Sequence, residues 1–373
     1  MSKIYFDNAA TTRPRPEVIA EMVRVLETEF GNPSSSHAFG RSARSVVELS
    51  RKAIARRLNC SAQEIIFTSG GTEADNWLLR SAVAGLGIKR IVTSRIEHHA
   101  VLHTIETLAG DEALVVDYVK VLPSGEIDLR DLEVLLKNDG PVLVSLMHVN
   151  NEIGTVLDLE TVGGLCRQYG AFFHSDTVQS AGKEHIDLSS VPIDFMVASA
   201  HKFHGPKGIG FAFVRKGIGL PPLIFGGEQE KGLRAGTEAV HNIAGMSLAF
   251  DIAHERHEVE KAYISDLKQY LTARVLDAFP DAKVNGTRTF YNIVNICFPF
   301  SADKTAMILF TLDMKGIALS RGSACQSGSA RPSHVLAEIL SDEDIAKPSL
   351  RISFSHENTR EEVDAFIEAL RTV

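Results

Sequence analysis

The stretch Phe195-Met-Val-Ala-Ser-Ala-His-Lys-Phe-His-Gly-Pro-Lys-Gly-Ile-Gly-Phe-Ala-Phe-Val214 decides the fold. Its two ends, residues 195–199 and 210–214, are short apolar runs. Continuous apolar runs of this length are typical of strands that are buried on both faces. Glycine, proline, histidine and lysine between them indicate a loop. The stretch therefore predicts two buried strands with a polar loop at the edge of a sheet, where ligand sites of α/β proteins lie.

Five more apolar runs precede this stretch and are similar to it in length. They are rich in Val, Ile and Phe, and helix-like segments separate most of them. They lie at residues 64–68, 90–93, 114–119, 142–148 and 171–176. Strands that alternate with helices predict an α/β fold, in which helices cover both faces of a mostly parallel, seven-stranded sheet.

The chain divides into three predicted segments. Residues 1–15 form a turn-rich arm that we expect to pack with the small domain, and residues 16–255 form a large domain with the seven strands. A long helical region follows from about residue 238 to residue 279 and ends at a proline. Residues 256–373 have the pattern of a smaller α+β domain. The boundary between the two domains falls inside the helical region.

Composition and charge are those of an ordinary globular protein. The 373 residues are 44% hydrophobic and 23% charged, and the formal net charge is −8. An acidic balance argues against direct binding of nucleic acid, because contacts to phosphates need a basic surface. No apolar stretch has the length of a membrane span, and the first residues lack the apolar core of a signal peptide. We therefore predict a cytoplasmic protein with reduced thiols and no membrane partner.

The first candidate for chemistry is Ser69-Gly-Gly-Thr-Glu-Ala-Asp-Asn76, which follows a predicted strand and opens a predicted helix. Small residues let backbone N–H groups approach an anion at the positive end of the helix, and Thr72 adds a hydroxyl. The segment has neither the P-loop pattern nor the dinucleotide fingerprint, so those two ligand classes are disfavoured. The alternative is an ordinary strand-to-helix turn with Thr72 as the N-cap.

Lys202 and Asp176 each follow a predicted buried strand. A lysine in a partly desolvated cleft can form a Schiff base, and the alternative is a solvent-exposed loop lysine. An acid at the end of a buried strand needs a cationic partner, and a protonated pyridine nitrogen is one such partner. The alternative role of Asp176 is to cap a helix.

One of the four cysteines has an unusual sequence context. Cys166 and Cys297 lie in apolar runs, as structural cysteines do, and Cys60 is a turn residue. Cys325 lies in Ser320-Arg-Gly-Ser-Ala-Cys-Gln-Ser-Gly-Ser-Ala-Arg-Pro332, whose small residues predict an accessible loop. We therefore predict that Cys325 is the reactive thiol. Because no Cys/His spacing typical of a metal site occurs, we predict no bound metal.

Eleven short motifs, in this order, resemble those of pyridoxal-phosphate enzymes of aminotransferase class V, and more closely those of cysteine desulfurases with a long catalytic loop. They span the chain from residue 5 to about residue 355. The motifs are Tyr5-Phe-Asp-Asn-Ala-Ala-Thr-Thr12, Gly31-Asn-Pro-Ser-Ser34, Phe67-Thr-Ser-Gly-Gly-Thr-Glu73, Glu97-His-His-Ala-Val101, Met147-His-Val-Asn-Asn-Glu-Ile-Gly154, Asp176-Thr-Val-Gln-Ser180, His201-Lys202, Gly205-Pro-Lys-Gly208, Arg234-Ala-Gly-Thr237, Gly322-Ser-Ala-Cys325 and Leu350-Arg-Ile-Ser353.

The resemblance implies the fold of pyridoxal-phosphate-dependent transferases of fold type I and pyridoxal 5'-phosphate as the cofactor. It implies removal of sulfur from L-cysteine, which gives L-alanine and a persulfide on Cys325. Lys202 would hold the cofactor covalently, Asp176 would pair with its pyridinium nitrogen, and His98 would stack on its ring and take part in proton transfer. The persulfide would pass to a sulfur-acceptor protein for iron–sulfur cluster assembly, tRNA thiolation or cofactor sulfuration.

The resemblance also assigns binding roles. An arginine fork holds a carboxylate in a fixed geometry, which suits an amino-acid substrate. The family's partner subunit donates one residue to the cofactor site, which implies a homodimer. The residues implied are Gly71, Thr72, Ser199 and His201 for the phosphate, Gln179 for the phenolic oxygen, Asn151 and Arg351 for the substrate carboxylate, and Thr237 for the neighbouring subunit.

Two other functions stay open on the sequence. A selenocysteine lyase or another class-V enzyme would share most of the motifs, although a transaminase needs no thiol in the position of Cys325. A scaffold protein that keeps the fold without activity is the second alternative. The presence of Lys202, Asp176, His98 and Arg351 together argues against it. The tail after Arg351 is shorter than in many family members, in which it helps to dock the iron–sulfur scaffold protein.

Overall fold

The computed structural model describes residues 3–111, 114–137, 140–302, 304–322 and 333–373, with only the backbone described at Asp111 and Ala306. The strands are β1 Ile4–Tyr5, β2 Ile65–Thr68, β3 Arg90–Thr93, β4 Val115–Tyr118, β5 Val142–Ser145, β6 Phe172–Asp176, β7 Phe195–Ser199, β8 Gly210–Val214, β9 Lys283–Asn285, β10 Ile293–Cys297, β11 Ile317–Ala318 and β12 Ser349–Ser353. The helices are α1 Pro16–Thr28, α2 Ala38–Arg57, α3 Gly71–Leu86, α4 His99–Asp111, α5 Leu129–Leu136, α6 Leu159–Gln168, α7 Val240–Ala278, α8 Lys304–Met314, α9 His334–Ile339, α10 Asp342–Ala346 and α11 Arg360–Leu370.

A seven-stranded sheet forms the centre of the larger part, in the order β2-β8-β7-β6-β5-β3-β4. The five strands from β7 to β4 are mutually parallel, and β8 is antiparallel to both of its neighbours. The predicted α/β fold with a mostly parallel sheet is therefore confirmed. The loop with Lys202 joins β7 directly to β8. This short connection is possible because the two strands are antiparallel neighbours.

Helices cover both faces of this sheet because its strands are apolar on both sides. Successive residues of a strand point to opposite faces. Met196 and Phe211 belong to the core cluster that includes α1, α2, α6 and the first part of α7. Val197 and Ala212 belong instead to the cluster of α3 and α4. Short apolar runs without alternation thus indicated burial on both faces correctly.

A second, smaller part is built on the antiparallel sheet β12-β10-β9. Its core cluster contains the second half of α7, with Ile264 and Leu271, and residues of α8 and α11. Helix α7 runs through both parts of the structure, and its buried residues up to Ala253 belong to the first core cluster. The proposed division at residue 255 falls between these two sets of residues and stays a prediction.

The N-terminal arm connects the small sheet with the loop after β7. Strand β1 pairs in parallel with β11, and the Asn8 side chain donates a hydrogen bond to Ser353 O at 2.8 Å. Further along the arm, Thr12 Oγ1 donates to His201 O at 2.9 Å. The arm thus reaches from β12 to the residue before Lys202. Among the helices of the described ranges, none has the length and apolar character needed to cross a membrane.

Candidate active site

A cavity of about 210 Å³ lies where β6 and β7 end. Strands β6 and β7 are parallel neighbours, so their last residues, Asp176 and Ser199, reach the same edge of the sheet. Ten of the twelve predicted site residues line this cavity. They are Gly71, Thr72, His98, Asn151, Asp176, Gln179, Ser199, His201, Lys202 and Arg351.

Lys202 ends a single 3₁₀ turn that follows β7 directly. Its Nζ donates hydrogen bonds to Ala9 O at 2.7 Å and to Ala10 O at 2.8 Å. Both carbonyls belong to the N-terminal arm, which therefore forms one wall of the cavity. The lysine is held at the cavity by its backbone position after a buried strand, so it is not a solvent-exposed loop lysine.

Asp176 contributes a carboxylate to the cavity that also holds the lysine amine. The residue is 6% exposed, and its Oδ1 accepts a hydrogen bond from Val178 N at 2.9 Å. Within the ranges that the structure describes, no lysine or arginine forms a salt bridge with it. A buried carboxylate in this position suits a cationic ring nitrogen as its partner.

Asp75 is a second acid in the cavity that the sequence reasoning missed. It lies on α3 and is 1% exposed. Burial, together with the nearby carboxylates of Asp176 and Glu97, raises the pKa of Asp75 well above its usual range. Burial and these two charges therefore favour the neutral form of the Asp75 carboxyl. The sequence offered one sign of this position: Asp75 follows Thr72 by one helical turn, so both side chains lie on the same face of α3.

The N-terminus of α3 forms the anion-binding end of the cavity. Gly70 adopts a φ of 152°, which favours glycine, and α3 begins at Gly71. A Cβ on Gly71 would lie 2.7 Å from a methyl carbon of Val178, so a larger residue would press on the loop after Asp176. The N-cap is Gly70, so the alternative reading of Thr72 as the N-cap is wrong, and Thr72 lies in the first helical turn.

Two histidines in the cavity are neutral. Burial lowers the pKa of His98, and burial followed by the charges of Lys202 and Lys207 lowers the pKa of His201 to about 3. His98 Nδ1 accepts a hydrogen bond from Ala100 N at 3.1 Å. The neutral His98 ring therefore carries its proton on Nε2.

Arg351 is fixed in the middle of β12 and is 1% exposed. Its Nη2 donates to Asp7 Oδ1 at 2.8 Å, and its Nη1 donates to Asn151 O at 2.8 Å. Its Nε is buried and has no partner among the residues that the structure describes. Two of the five N–H groups of the guanidinium thus hold it in place and three are left, and Asp7 is a positioning residue that the sequence reasoning did not find.

Three predicted residues need separate mention. Gln179 lines the cavity, and its Nε2 donates one hydrogen bond to Ala9 O at 2.9 Å, so the second N–H of the amide is left for a phenolic oxygen. Thr237 is exposed in the loop before α7 and does not line this cavity. That loop lies beside the start of α3, because Arg234 pairs with Glu73 at 2.9 Å. Cys325 lies outside the described residues.

The fold and the cavity together define an α/β enzyme with a lysine, a buried acid and an anion-binding helix terminus in one site. These groups fit pyridoxal phosphate in their chemical character, because its aldehyde, ring nitrogen and phosphate need an amine, an acid and a helix N-terminus respectively. The Arg351 guanidinium, which also lines the cavity, adds a place for a carboxylate.

Comparisons with known proteins agree with this definition. The sequence profile of the family "Aminotransferase class-V" matches residues 4–366. A cysteine desulfurase IscS of Clostridium botulinum is 39% identical over 99% of this chain and 93% of its own length. A putative cysteine desulfurase IscS 1 of Bacillus subtilis is 41% identical over 97% of this chain and 96% of its own length.

Solved structures give the same result. A NifS-like protein superposes with a TM-score of 0.91 at 35% identity, and all of both chains is covered. SspA in complex with cysteine superposes with a TM-score of 0.82 at 31% identity, covering 96% of this chain and all of its own. The chain therefore belongs to the class-V aminotransferase family, whose members are pyridoxal-phosphate enzymes, and within it to the cysteine desulfurases.

Proposed function

We propose that the cavity binds pyridoxal 5'-phosphate and removes sulfur from L-cysteine, with L-alanine and a protein-bound persulfide as products. The observation that carries the proposal is the presence of Lys202, Asp176, the N-terminus of α3 and Arg351 on one cavity. When bound, the cofactor supplies an electron sink for the electron pair of the substrate Cα–H bond. The chain's own residues then have to hold the substrate, move protons and accept sulfur.

Lys202 would hold the cofactor through its amine. Asp176 would pair with the ring nitrogen, and the raised pKa of Asp75 favours a neutral carboxyl beside it. The backbone N–H groups of Gly71 and Thr72 at the start of α3, together with the neutral His201 and the Ser199 hydroxyl, would bind the phosphate. His98 would stack on the ring, and it can accept a proton only if its Nδ1 gives up the hydrogen bond from Ala100 N.

Arg351 holds the substrate carboxylate through its remaining N–H groups, with Asn151 beside it. The guanidinium is oriented before substrate arrives by its bonds to Asp7 Oδ1 and Asn151 O. Cysteine as the substrate is supported by SspA, a relative of known structure that was solved in complex with cysteine. Because its carboxylate and its amine are both held, L-cysteine binds in one orientation, and this orientation restricts the positions of its sulfur.

Replacing Arg351 by lysine is expected to reduce kcat/KM for L-cysteine by about ten- to a hundredfold, mainly through KM. A lysine cannot keep the bonds to Asp7 and Asn151 and also meet the substrate carboxylate, and one charge-assisted hydrogen bond contributes about 1.5–3 kcal/mol. Steady-state alanine formation measures the effect. Arg274→Lys, at a half-exposed ion pair with Asp364, is the control. A folded Arg351→Lys protein with unchanged KM would contradict the role.

Cys325 accepts the sulfur. The three other cysteines do not line the cavity, and burial raises the pKa of Cys60 and of Cys166 to about 12. Burial also raises the pKa of Cys297. These thiols are therefore protonated at neutral pH and are poor nucleophiles. The Cys325 sulfur forms an S–S bond with the substrate sulfur while the substrate C–S bond breaks, and alanine leaves.

Ser320 and Ser333 lie on either side of Cys325 in the chain and are both held by hydrogen bonds. Their positions support the proposal that Cys325 reaches the cavity. Ser320 O accepts a hydrogen bond from Arg351 N at 2.7 Å, and Ser320 Oγ donates to Asp7 Oδ1 at 3.0 Å. Five residues of chain cover at most about 17 Å, so a start beside Arg351 brings Cys325 within range of the cavity. Ser333, on the other side, bonds to the Glu152 carboxylate. The persulfide then passes to a sulfur-acceptor protein.

The test of the proposed function is alanine formation from L-cysteine by the purified protein with its cofactor. We expect L-alanine from L-cysteine, none from L-serine, and a loss of activity when the cofactor is removed. Alanine from L-selenocysteine alone would make the protein a selenocysteine lyase. Failure with both substrates would leave the inactive scaffold as the explanation.

A homodimer is part of the proposal, and an exposed apolar surface supports it. Phe225 is 82% exposed and Phe30 is 72% exposed, and the Phe39 ring lies 5.1 Å from the Phe30 ring, tilted by 34°. Gln229 Nε2 donates to Ser34 Oγ at 3.3 Å and so joins the two loops that carry these rings. An apolar patch of this kind marks an interface. Thr237 lies in the same region and reaches the cavity of the partner subunit.

Replacing Phe225 by glutamate is expected to shift the protein from a dimer, of about twice 40.7 kDa, toward the monomer. In a self-complementary interface, the glutamate occurs once on each subunit and replaces an apolar contact on both. Light scattering coupled to size-exclusion chromatography measures the mass. Val259→Glu, at a 76% exposed residue of α7, is the control. A native protein that elutes as a monomer would contradict the dimer.

A further inference from the structure

A histidine cluster lies outside the cavity, between the chain after β6 and helix α7. His185 follows β6, whereas His257 and Glu258 are neighbours on α7. One ligand atom from each lies within 4.8 Å of the other two. None of the three residues lines the active-site cavity, and the proposed function uses none of them. The cluster therefore needs an explanation of its own.

The hydrogen bonds of His257 set the role of each ring nitrogen. The residue is 5% exposed, and its Nε2 lies 3.1 Å from Lys183 O. A carbonyl only accepts, so Nε2 carries a proton. Nδ1 lies 3.0 Å from Glu258 Oε1. At this distance a proton or a cation must lie between the electron pairs of Nδ1 and Oε1, so the pair is a place where a metal ion can replace a proton.

The bond from His257 Nε2 to a backbone carbonyl is also typical of metal-binding histidines. Such a bond sets the tautomer and the orientation of the ring, so that the other nitrogen points at the metal. Here it fixes His257, the buried member of the three. The other two members are exposed and can adjust to an ion.

A further imidazole stands beside the cluster. His254 lies one turn before His257 on α7, and its Nδ1 donates to Phe250 O at 2.9 Å. Its Nε2 is buried and has no partner among the described residues. The His185 ring lies 4.4 Å from the His257 ring and 5.5 Å from the His254 ring, measured between centroids. The fold thus collects three imidazoles and a carboxylate at one place.

We propose that His257 Nδ1, His185 Nε2 and Glu258 Oε1 bind one divalent transition-metal ion, with water completing the coordination. Two imidazoles and a carboxylate are a ligand set that suits Zn²⁺ and its neighbours in the transition series. Tetrahedral Zn²⁺ holds its ligand atoms about 3.3 Å apart. Glu258 Oε1 lies 3.0 Å from His257 Nδ1 and 4.0 Å from His185 Nε2, which bracket that distance.

The charges around the cluster allow a cation. Glu258 is a ligand, and the Glu184 carboxylate lies 3.7 Å from His257 Nε2. The ammonium of Lys261 opposes a metal ion, but it is paired with Glu184 at 2.9 Å. One carboxylate therefore offsets the lysine, and the second remains for the metal.

A metal at this place would tie the chain after β6 to α7. That chain segment carries Gln179 on the cavity wall a few residues before His185. Binding to the folded state alone stabilises it in proportion to the logarithm of the metal concentration. The metal therefore has a structural role in the proposal. The spacing of the sequence did not reveal it, because His185 and His257 lie in separate elements.

The test uses Zn²⁺ with cofactor-loaded, chelator-treated protein that carries Cys325→Ala, so that this thiol takes no metal. Titration calorimetry should show one Zn²⁺ per chain, and the melting temperature should rise with Zn²⁺ concentration. His185→Gln and Glu258→Gln, both at exposed positions, should each weaken binding by at least about tenfold and reduce the thermal shift. His241→Gln is the matched control, about 24 Å earlier along α7.

Three outcomes would overturn the proposal. The first is no binding of Zn²⁺ at millimolar concentration. The second is binding that His185→Gln and Glu258→Gln leave unchanged, which would put the metal elsewhere on the protein. The third is equal weakening by His241→Gln. Alanine formation by the same variants in the native Cys325 background separates this test from that of the proposed function, because neither residue belongs to the cavity.

Discussion

Replacing Cys325 by alanine is expected to abolish persulfide formation and to reduce alanine formation from L-cysteine by about a thousandfold or more. A covalent nucleophile has no substitute in the site, and its removal commonly costs at least this much in rate. The remaining cysteines lie outside the cavity, with protonated thiols. Substrate binding through Arg351 should be unaffected, so the loss should appear in kcat.

The measurement is a single turnover with L-cysteine and no reductant, in which alanine and protein-bound persulfide are both quantified. The native protein should give one of each per active site, and Cys325→Ala should give neither. Cys60→Ala is the matched control, since Cys60 is only partly buried, where it packs against the first core cluster. Equal alanine from native protein and Cys325→Ala would show that another group takes the sulfur and would favour the lyase alternative.

Replacing Lys202 by alanine should have an effect of similar size for a different reason. Without the amine, no covalent bond to the cofactor forms, and the cofactor is held only by the phosphate and ring contacts. Ala9 O and Ala10 O also lose the bonds from Lys202, while Ala9 O keeps the bond from Gln179 Nε2, so the arm loses one anchor to the cavity. We expect a fall in activity of about a thousandfold or more and loss of the cofactor on desalting.

Two measurements follow the cofactor directly. Visible absorption after desalting reports how much cofactor remains on the protein. Borohydride fixes the bond between the cofactor and its lysine, and peptide mass spectrometry then locates that lysine. Lys216→Ala, at an exposed residue after β8, should keep both cofactor and activity. Cofactor fixed to a lysine other than Lys202 in the native protein would contradict the assignment.

The seven strands could be predicted from the sequence because parallel strands buried on both faces leave a strong local signal. Runs such as residues 195–199 and 210–214 match β7 and β8 as observed. Helix α2 leaves a weaker signal. It begins at Ala38, whereas its apolar spacing starts only near Val46, because its N-terminal turns pack polar and small residues. Hydrophobic periodicity reports only the part of a helix that faces a core.

The cavity residues were recovered largely because short motifs in one order resemble a family. Ten predicted residues line one cavity, while their individual roles remain proposals. Asp7 and Asp75 lie within segments that the sequence analysis quoted, but their roles were missed. Burial and two other carboxylates raise the pKa of Asp75. No single segment of sequence contains that information.

The sequence by itself determined the order of strands and helices, the family, and the residues that carry the chemistry. These properties depend on local patterns, namely apolar runs, helix termini and motifs that each span a few residues. The tertiary structure decided which arm carbonyls hold Lys202, which acids lie close enough to raise the pKa of Asp75, and how Arg351 is oriented. It also brought His185 to His257. The physical reason is that hydrogen bonds and charges depend on distance in space, and residues far apart in the chain become neighbours only on folding.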